Sequence, residues 1–371
     1  MVIKLSGYNS GFRYAAIAYD WSTAHEITSR GLDAVLIDAG ILILLPDCVE
    51  LRCIGDAAAM CSSLQEYDVV EITETGTMRR LYGRDSNSNY IMVTSMCNSN
   101  CIMCPSPVQS RQRREISSIE DLCHFIDYIP KSAVHIAVTG GEPTLLKHDF
   151  FKLMSKLNEA LPNTVVQYLS NARAFSDARF AQEFCDRATK LIRIAVPIHG
   201  STAMLHDSIT QTPGSFEQTV TAIQNLAHSI AEIELRVVVS RLNVEDLSML
   251  AKFIVHTFPR VTCVNFIALE MSGSAAVNRD ALWVDYAVAC EKIALPCKIL
   301  MTGEIDVNLY NFPLCSVNPD YWGIARQSIS DYKTYYSDGC AVCSVKGICG
   351  GQFAATAALH LFRVRPVRSE P

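Results

Sequence analysis

Three cysteines form a tight group in the stretch M-C-N-S-N-C-I-M-C-P, which covers residues 96–105. Cys97, Cys101 and Cys104 are spaced i, i+4 and i+7, which suits a loop wrapped around a metal cluster. Thiolates are soft ligands that favour iron–sulfur clusters and zinc. Three ligands leave one iron of a four-iron cluster free, whereas a structural zinc ion needs a fourth close ligand. The spacing therefore predicts an iron–sulfur site with an open iron, and a zinc loop is the alternative.

A second group of cysteines, Cys340, Cys343 and Cys349, lies near the C-terminus. Cys315 lies upstream in the sequence N-F-P-L-C. The spacing of this group is compatible with an iron–sulfur cluster and also with a zinc ion. The other eight of the 15 cysteines stand apart among apolar neighbours, which predicts packed thiols. We therefore expect a second metal site at the C-terminal group.

The residues around the first group alternate between two patterns. From residue 90 onward, short apolar runs rich in β-branched residues alternate with helical patterns, which is typical of successive βα units. The predicted strands cover residues 90–95, 134–139, 164–170, 191–197, 233–240 and 261–269. One predicted helix begins with a capping box at Ser117, another covers residues 215–230, and a further helix follows Asn278. Six parallel strands with crossover helices predict an α/β fold with a partial (β/α)6 barrel that binds ligands at the C-terminal strand ends.

Two further regions flank the βα region. Residues 1–89 contain a hairpin pattern that turns at Thr75-Gly76 and have little helical periodicity, so we predict a small β-rich N-terminal domain. Residues 301–371 have no strong periodicity but hold the second cysteine group, which predicts a cap organised partly by metal. The last residues, 364–371, are predicted to form a disordered tail. The predicted domains are therefore 1–89, 90–300 and 301–371.

The composition narrows the class of partners. Lys and Arg number 32 against 38 Asp and Glu, a formal net charge of −6. Nucleic-acid binding is not expected, because phosphate neutralisation requires a basic field. No signal peptide is readable at the start, and the longest apolar stretch, residues 34–45, is too short to span a bilayer. We therefore expect a cytoplasmic protein that binds no membrane, in a reducing compartment where clustered cysteines are more often metal ligands than disulfides.

Two motifs together resemble the radical S-adenosylmethionine (SAM) superfamily. C-x₃-C-x₂-C follows the first strand of the βα region, and T-G-G-E-P (residues 139–143) ends the second. The resemblance implies that the three cysteines hold a [4Fe–4S] cluster whose open iron chelates the amino and carboxylate groups of SAM. It also implies that Gly140, Gly141 and Glu142 receive the SAM amino group. The chemistry agrees, because glycines let the backbone approach a ligand and a carboxylate can pair with an ammonium.

Further stretches resemble one peptide-modifying subgroup, the C-type radical SAM maturase of the His-Xaa-Ser peptide system. They are L-S-N-A-R (169–173), H-D-S-I-T-Q-T-P-G-S-F (206–216), E-L-R-V-V-V (234–239), S-I-S-D-Y-K (328–333) and C-A-V-C-S-V-K-G-I-C-G-G-Q-F (340–353). The resemblance implies an enzyme that reductively cleaves SAM to a 5′-deoxyadenosyl radical. Its substrate would be a ribosomally made precursor peptide whose side chains are crosslinked or oxidised. The implied partners are this peptide, an electron donor such as flavodoxin or ferredoxin, and a second radical SAM protein of the same system.

Five positions bear on the predicted SAM contacts. Met103 precedes the third cysteine, where the superfamily often has an aromatic residue near the adenine, and it can give an apolar contact. Pro197 stands where peptide-modifying relatives often have a serine that contacts SAM, and Thr210 where many have an arginine. Asn171 and Arg236, at strand positions near the site, are candidates to bind SAM. For Arg236, pairing with the SAM carboxylate and a structural ion pair are equally compatible with the sequence.

The C-terminal cysteine group resembles the auxiliary-cluster (twitch or SPASM-like) domains of peptide-modifying radical SAM enzymes. The two-cluster version has a further cysteine where this chain has Phe353. The resemblance therefore implies one auxiliary [4Fe–4S] cluster, held by Cys315, Cys340, Cys343 and Cys349, and a four-cysteine zinc site is the alternative. For the whole chain, two other functions stay open: a radical SAM enzyme that acts on a small molecule, and a non-catalytic metal-binding scaffold.

Overall fold

The computed structural model describes residues 2–8, 10–38, 41–54, 61–106, 108–112, 115–330 and 333–368. The chain divides into two compact units. The first unit consists of Met1–Val93, Ser117–Val138 and His148–Val166, and the second of Thr94–Ile116, Thr139–Lys147 and Gln167–Pro371. Every predicted site residue lies in the second unit, and the predicted domain boundaries stay a prediction. Within the described residues, we find no helix with the length and apolar character needed to cross a membrane.

The strands of the described residues are numbered in chain order. They are β1 (Val2–Ser6), β2 (Arg13–Ala18), β3 (Ala34–Asp38), β4 (Ile41–Leu45), β5 (Val49–Cys53), β6 (Val69–Ile72), β7 (Thr77–Tyr82), β8 (Tyr90–Met92), β9 (His135–Thr139), β10 (Val165–Leu169), β11 (Ile192–Pro197), β12 (Glu232–Val239), β13 (Val261–Ala268), β14 (Asp306–Tyr310), β15 (Ala325–Arg326), β16 (Thr334–Tyr335) and β17 (Gln352–Phe353).

The helices of the described residues are numbered in the same way. They are α1 (Trp21–Ser29), α2 (Val108–Gln112), α3 (Ile119–Tyr128), α4 (His148–Ala160), α5 (Ala178–Arg187), α6 (Ala203–Thr210), α7 (Ser215–Leu226), α8 (Leu247–Thr257), α9 (Gly273–Val277), α10 (Arg279–Leu282), α11 (Tyr286–Thr302) and α12 (Ala354–Ala358).

The first unit contains a closed barrel in which seven strands are neighbours in the order β1-β5-β4-β3-β2-β6-β7. The predicted hairpin is confirmed: β6 and β7 pair antiparallel, and Gly76 N donates to Thr73 O at 2.9 Å in the turn between them. Strands β2 and β3 are parallel, and α1 supplies the crossover connection that a parallel pair requires. This helix is missing from the prediction for residues 1–89. Only Ala24 and Ile27 of α1 are buried, which is too few for a readable helical period.

The alternation of strands and helices from residue 90 onward confirms the α/β class. Strands β8 to β13 coincide with the six predicted strands to within a few residues. In the first unit, β8, β9 and the beginning of β10 are neighbours in that order. In the second unit, β11 to β15 are parallel neighbours in chain order. Strand β14 was not predicted: its five residues, D-V-N-L-Y, alternate in burial, but they lie in a segment whose sequence as a whole has no strong periodicity.

Helix boundaries differ from the prediction at two places. The N-cap of α3 is Ser118, whose side chain accepts a hydrogen bond from Asp121 N at 3.0 Å. Ser117, the predicted start, lies one residue before the cap, and its backbone amide donates to Val93 O at 3.1 Å. Helix α7 ends at Leu226, four residues earlier than predicted, and α10 and α11 confirm the helical pattern after Asn278.

The C-terminal segment of the second unit has short elements only. Strands β16 and β17 pair antiparallel, with Thr334 opposite Phe353. The prediction of a disordered tail is wrong for residues 364–368: Val367 O accepts hydrogen bonds from Ser344 N at 2.9 Å and from Ser344 Oγ at 3.1 Å. Residues 369–371, and residues 331–332 of the stretch S-I-S-D-Y-K, lie outside the described residues.

Candidate active site in the second unit

The segment from Cys97 to Cys104, here called the cluster loop, is held by backbone hydrogen bonds to the end of α6. Asn100 N donates to Thr210 O at 3.1 Å, and Ile102 N donates to Ile209 O at 3.0 Å. Both acceptors belong to the last turn of a helix, where carbonyl groups have no partner within the helix. The cluster loop therefore provides hydrogen-bond donors to these carbonyls, and the same two hydrogen bonds fix the path of its backbone.

The far end of the cluster loop is held by the start of α9. Ser274 N donates to Cys104 O at 2.9 Å. Gly273 has a φ of +56°, and a Cβ atom there would lie 2.4 Å from Pro105 O. A residue with a side chain would therefore be both strained and in steric conflict at this position. This glycine lets α9 approach the backbone that follows the third cysteine.

The thiols of the cluster loop share one environment. Burial raises the pKa of Cys101 to about 12, and the nearby sulfurs of Cys97 and Cys104 raise it further. Burial also raises the pKa of Cys97, with smaller contributions in the same direction from Glu142 and Cys104, while a hydrogen bond from Ser99 N at 3.4 Å lowers it. This mutual influence shows that the three sulfurs lie close together, and a group of three neighbouring soft donors suits an iron–sulfur cluster.

The T-G-G-E-P turn is hydrogen-bonded to the residues that lead into the cluster loop. Gly141 N donates to Thr94 O at 2.7 Å, and Glu142 N donates to Met96 O at 2.7 Å. A Cβ atom on Gly141 would lie 1.9 Å from Met96 O, and one on Gly140 would lie 2.4 Å from Thr94 O. The structure therefore requires both glycines for contact between two backbones, whether or not a ligand is bound.

Glu142 is completely buried and its carboxylate accepts four hydrogen bonds. Oε1 accepts from Thr144 N at 3.0 Å, from Thr144 Oγ1 at 2.6 Å and from Ser170 Oγ at 2.7 Å. Oε2 accepts from Asn171 N at 2.7 Å. Burial raises the pKa of Glu142, and these hydrogen bonds oppose that rise. The carboxylate therefore joins its own turn to the end of β10, and its contact with the SAM amino group stays a prediction.

Asn171 continues this chain of contacts from Glu142 to the cluster loop. Its Nδ2 donates to Asn98 Oδ1 at 2.6 Å and lies 4.0 Å from Cys97 Sγ. Arg173, which was not among the predicted site residues, donates to Asn98 O and lies 3.3 Å from Ser99 Oγ. The only signal in the sequence for this role is the stretch L-S-N-A-R itself.

The family comparison covers the same part of the chain. Residues 91–254 match the profile of the Radical SAM superfamily. This segment is therefore similar to the domain that defines this superfamily. A domain of this family implies a [4Fe–4S] cluster and SAM as cofactors, and the thiol set of the cluster loop fits that cluster.

Two curated proteins are similar to part of the chain. The chain is 31% identical over 163 residues to mycofactocin maturase MftC of Mycobacterium tuberculosis (strain CDC 1551 / Oshkosh). The aligned residues make up 43% of this chain and 39% of that protein. It is 27% identical over 159 residues to the AdoMet-dependent heme synthase of Methanosarcina barkeri (strain Fusaro / DSM 804), which is 42% of this chain and 43% of that protein. The chain thus spans about two fifths of the length of these curated relatives.

Among solved structures, the chain is similar to Streptococcus suis SuiB bound to S-adenosylmethionine. The sequence identity is 13% and the TM-score is 0.42, with 59% of this chain and 46% of that chain covered.

Two of the residues that were predicted to contact SAM have partners within the protein. Met103 is buried and packs in an apolar cluster with Ile209 and Leu269, so its contact with the adenine stays a prediction. Arg236 Nε lies 3.5 Å from Glu234 Oε1, the structural ion pair that the sequence left open. Neither atom of this pair makes a hydrogen bond among the described residues. The contact of Arg236 with SAM therefore stays a prediction as well.

The four C-terminal cysteines predicted to bind the auxiliary cluster line one small cavity, here called the cysteine pocket. Tyr335, Tyr336, Val345 and Val364 also line it. Burial raises the pKa of Cys315, a hydrogen bond from the backbone of Arg365 opposes this, and the other three pocket thiols raise it further. The predicted ligands are therefore brought together, although they come from separate segments of the chain.

Backbone amides point at the sulfurs of the cysteine pocket. Leu314 N and Gly351 N each donate to Cys349 Sγ at 3.4 Å. Amide donors to sulfur stabilise thiolate over thiol and tune the reduction potential of iron–sulfur clusters. The described residues contain no group of three or more His, Cys, Asp or Glu side chains placed to hold a single metal ion. The auxiliary cluster stays a prediction that the donor set fits.

Proposed function

We propose that this chain is a radical SAM maturase that modifies a ribosomally made precursor peptide of the His-Xaa-Ser type. When bound, the [4Fe–4S] cluster and SAM supply one-electron cleavage of SAM to methionine and a 5′-deoxyadenosyl radical, which abstracts a hydrogen atom from a substrate carbon. The single observation that carries the proposal is the pair of hydrogen bonds between the T-G-G-E-P turn and the residues that lead into the cluster loop, inside a segment that matches the radical SAM superfamily.

The protein's own contribution is to hold the T-G-G-E-P turn and the cluster loop in fixed positions relative to each other. Glu142 and Asn171 link the T-G-G-E-P turn to the first cysteine of the cluster loop, so the two parts of the cofactor site cannot move independently. Pre-positioning of this kind reduces the reorganisation that the reaction requires. The cysteine pocket would hold the auxiliary cluster, which would accept an electron from the substrate radical and so allow a net oxidation such as crosslink formation.

The peptide substrate is supported by the resemblance to peptide-modifying enzymes and by the mycofactocin maturase relative. A small-molecule substrate is the second candidate, because the heme synthase relative is similar over nearly as many residues. Binding of a fluorescein-labelled synthetic peptide with His-Xaa-Ser repeats, measured by anisotropy, separates the two. Saturable binding that a scrambled peptide does not reproduce supports the maturase, and equal binding of both peptides favours the small molecule.

Catalytic activity is tested after anaerobic reconstitution with iron and sulfide. The reconstituted protein should produce 5′-deoxyadenosine from SAM under dithionite, as measured by liquid chromatography. A variant with all three cluster-loop cysteines replaced by alanine is the matched control, and it should produce none. Binding of a single zinc ion in place of iron, with no cleavage of SAM, would instead support a non-catalytic metal-binding scaffold.

A further inference from the structure

Arg111 lies on α2, a few residues after the cluster loop, and two neutral groups hold its guanidinium. Nη1 donates to Asn100 Oδ1 at 3.0 Å, and Nη2 donates to Ser274 Oγ at 2.8 Å. Asn100 lies between the first two cysteines of the cluster loop, and Ser274 binds the backbone of the third. Arg111 is thus connected to the first half of the cluster loop through Asn100 and to its last residue, Cys104, through Ser274.

The charge of Arg111 has no anionic partner among the described residues. No carboxylate in this part of the chain forms an ion pair with it, and both of its hydrogen-bond acceptors are uncharged. Its Nε is buried and makes no hydrogen bond among the described residues. A half-buried cation normally has a negative partner, because removing the charge from water is costly. The surroundings of Arg111 therefore leave its positive charge available to an anionic ligand.

The guanidinium of Arg111 lies beside the cluster loop. It donates to Asn100, the residue before the second cysteine, and to Ser274, whose backbone amide donates to the carbonyl oxygen of Cys104. The positive charge is therefore held next to the segment that would bind the cluster.

We propose that Arg111 is the cationic partner of the anionic cluster held by the cluster loop, and that its charge raises the reduction potential of that cluster. The inference rests on the proposed function, because it needs a bound [4Fe–4S] cluster. An electron added to an anionic cluster is stabilised by a nearby positive charge, and net charge is one of the factors that set cluster potentials. Arg111 is thus a positioning residue that acts through the cluster, with its two neutral partners fixing where the charge lies.

The test compares two substitutions of Arg111 with a charge removal elsewhere in the second unit. Arg111→Gln removes the charge, Arg111→Lys keeps it, and Lys252→Gln removes an exposed charge from α8. Each protein is reconstituted, its iron and sulfide are counted, and the cluster is titrated with dithionite under an imposed potential. The reduced cluster is followed by electron paramagnetic resonance through the signal that changes when SAM is added, which separates it from the auxiliary cluster.

We expect Arg111→Gln to keep its iron and to lower the ratio of reduced to oxidised cluster at fixed potential about tenfold, a shift of about 59 mV for one electron. Arg111→Lys and Lys252→Gln should match the wild type. Loss of the cluster in Arg111→Gln but not in Arg111→Lys would also support the charge requirement. An unchanged potential in Arg111→Gln, or equal loss of the cluster in both Arg111 variants, would overturn the proposal. If the wild type itself bound no SAM-responsive cluster, the proposed function would fail, which is a different result.

Discussion

Replacing Glu142 by alanine should destabilise the second unit far more than the loss of an ordinary surface charge. The carboxylate is completely buried and accepts four hydrogen bonds, two of them from backbone amides. A hydrogen bond to a charged group contributes about 1.5 to 3 kcal/mol, and the contributions are not additive because water can enter the space left behind. We therefore expect a loss of about 3 to 5 kcal/mol in the free energy of unfolding, similar to that for a broken buried ion pair.

The assay is urea unfolding followed by tryptophan fluorescence in a Trp21→Phe background. Trp283 and Trp322 then report on the second unit alone. With an unfolding slope of about 3 kcal/mol/M, Glu142→Ala should lower the midpoint by about 1 to 1.7 M urea. The matched control is Glu291→Ala on the exposed side of α11, which should change stability by less than about 0.5 kcal/mol.

The same variant should also bind SAM more weakly, because Glu142 orients Asn171 and through it the first cysteine of the cluster loop. We expect a loss of roughly ten- to a hundredfold in SAM affinity, corresponding to about 1.5 to 3 kcal/mol. Equal urea midpoints for Glu142→Ala and Glu291→Ala, together with unchanged SAM affinity, would show that this carboxylate does not organise the site.

Three further predictions concern the metal sites and the pH dependence of stability. Replacing the three cluster-loop cysteines by alanine should remove about four irons per chain and abolish SAM cleavage while the auxiliary cluster remains, which iron analysis and product formation will show. Cys315→Ala should lose the auxiliary cluster or open one of its irons, whereas Cys297→Ala, in the buried part of α11, should keep about eight irons per chain. Burial lowers the pKa of His199 to about 3 and that of His206 to about 4, so the folded state resists their protonation. The contribution of these histidines to the free energy of unfolding should therefore be complete above about pH 6.5 and should decrease as the pH drops toward 4. Urea midpoints that do not change between about pH 7 and 4.5 would contradict this expectation.

The sequence predicted the parts of this protein that depend on local pattern. The three cysteines, the T-G-G-E-P turn and the six strands from β8 to β13 all have spacings or periodicities that are visible in a single chain. Helix α1 was missed because it is short and buries only two residues. Strand β14 alternates in burial, but it spans only five residues within a segment that has no strong periodicity as a whole. Their stability comes from neighbours in the sheet or barrel, which a local window does not contain.

The predicted chemistry of the site was less complete than the predicted motifs. The glycines at 140 and 141 were assigned to ligand approach, but the structure shows that they are required by the backbone at Thr94 and Met96. The partners of Glu142 at Ser170 and Asn171 lie one βα unit away, so no spacing rule points to them. A tertiary contact of this kind becomes visible only when the strand ends are placed side by side.

The central claim is that the cluster loop binds a [4Fe–4S] cluster that cleaves SAM. The most direct measurement is the yield of 5′-deoxyadenosine from SAM under dithionite, made alongside iron and sulfide analysis of anaerobically reconstituted protein. We expect about eight irons per chain in two four-iron clusters, and cleavage that disappears when the three cluster-loop cysteines are replaced by alanine. Reductive cleavage of SAM that survives in this triple variant would contradict it.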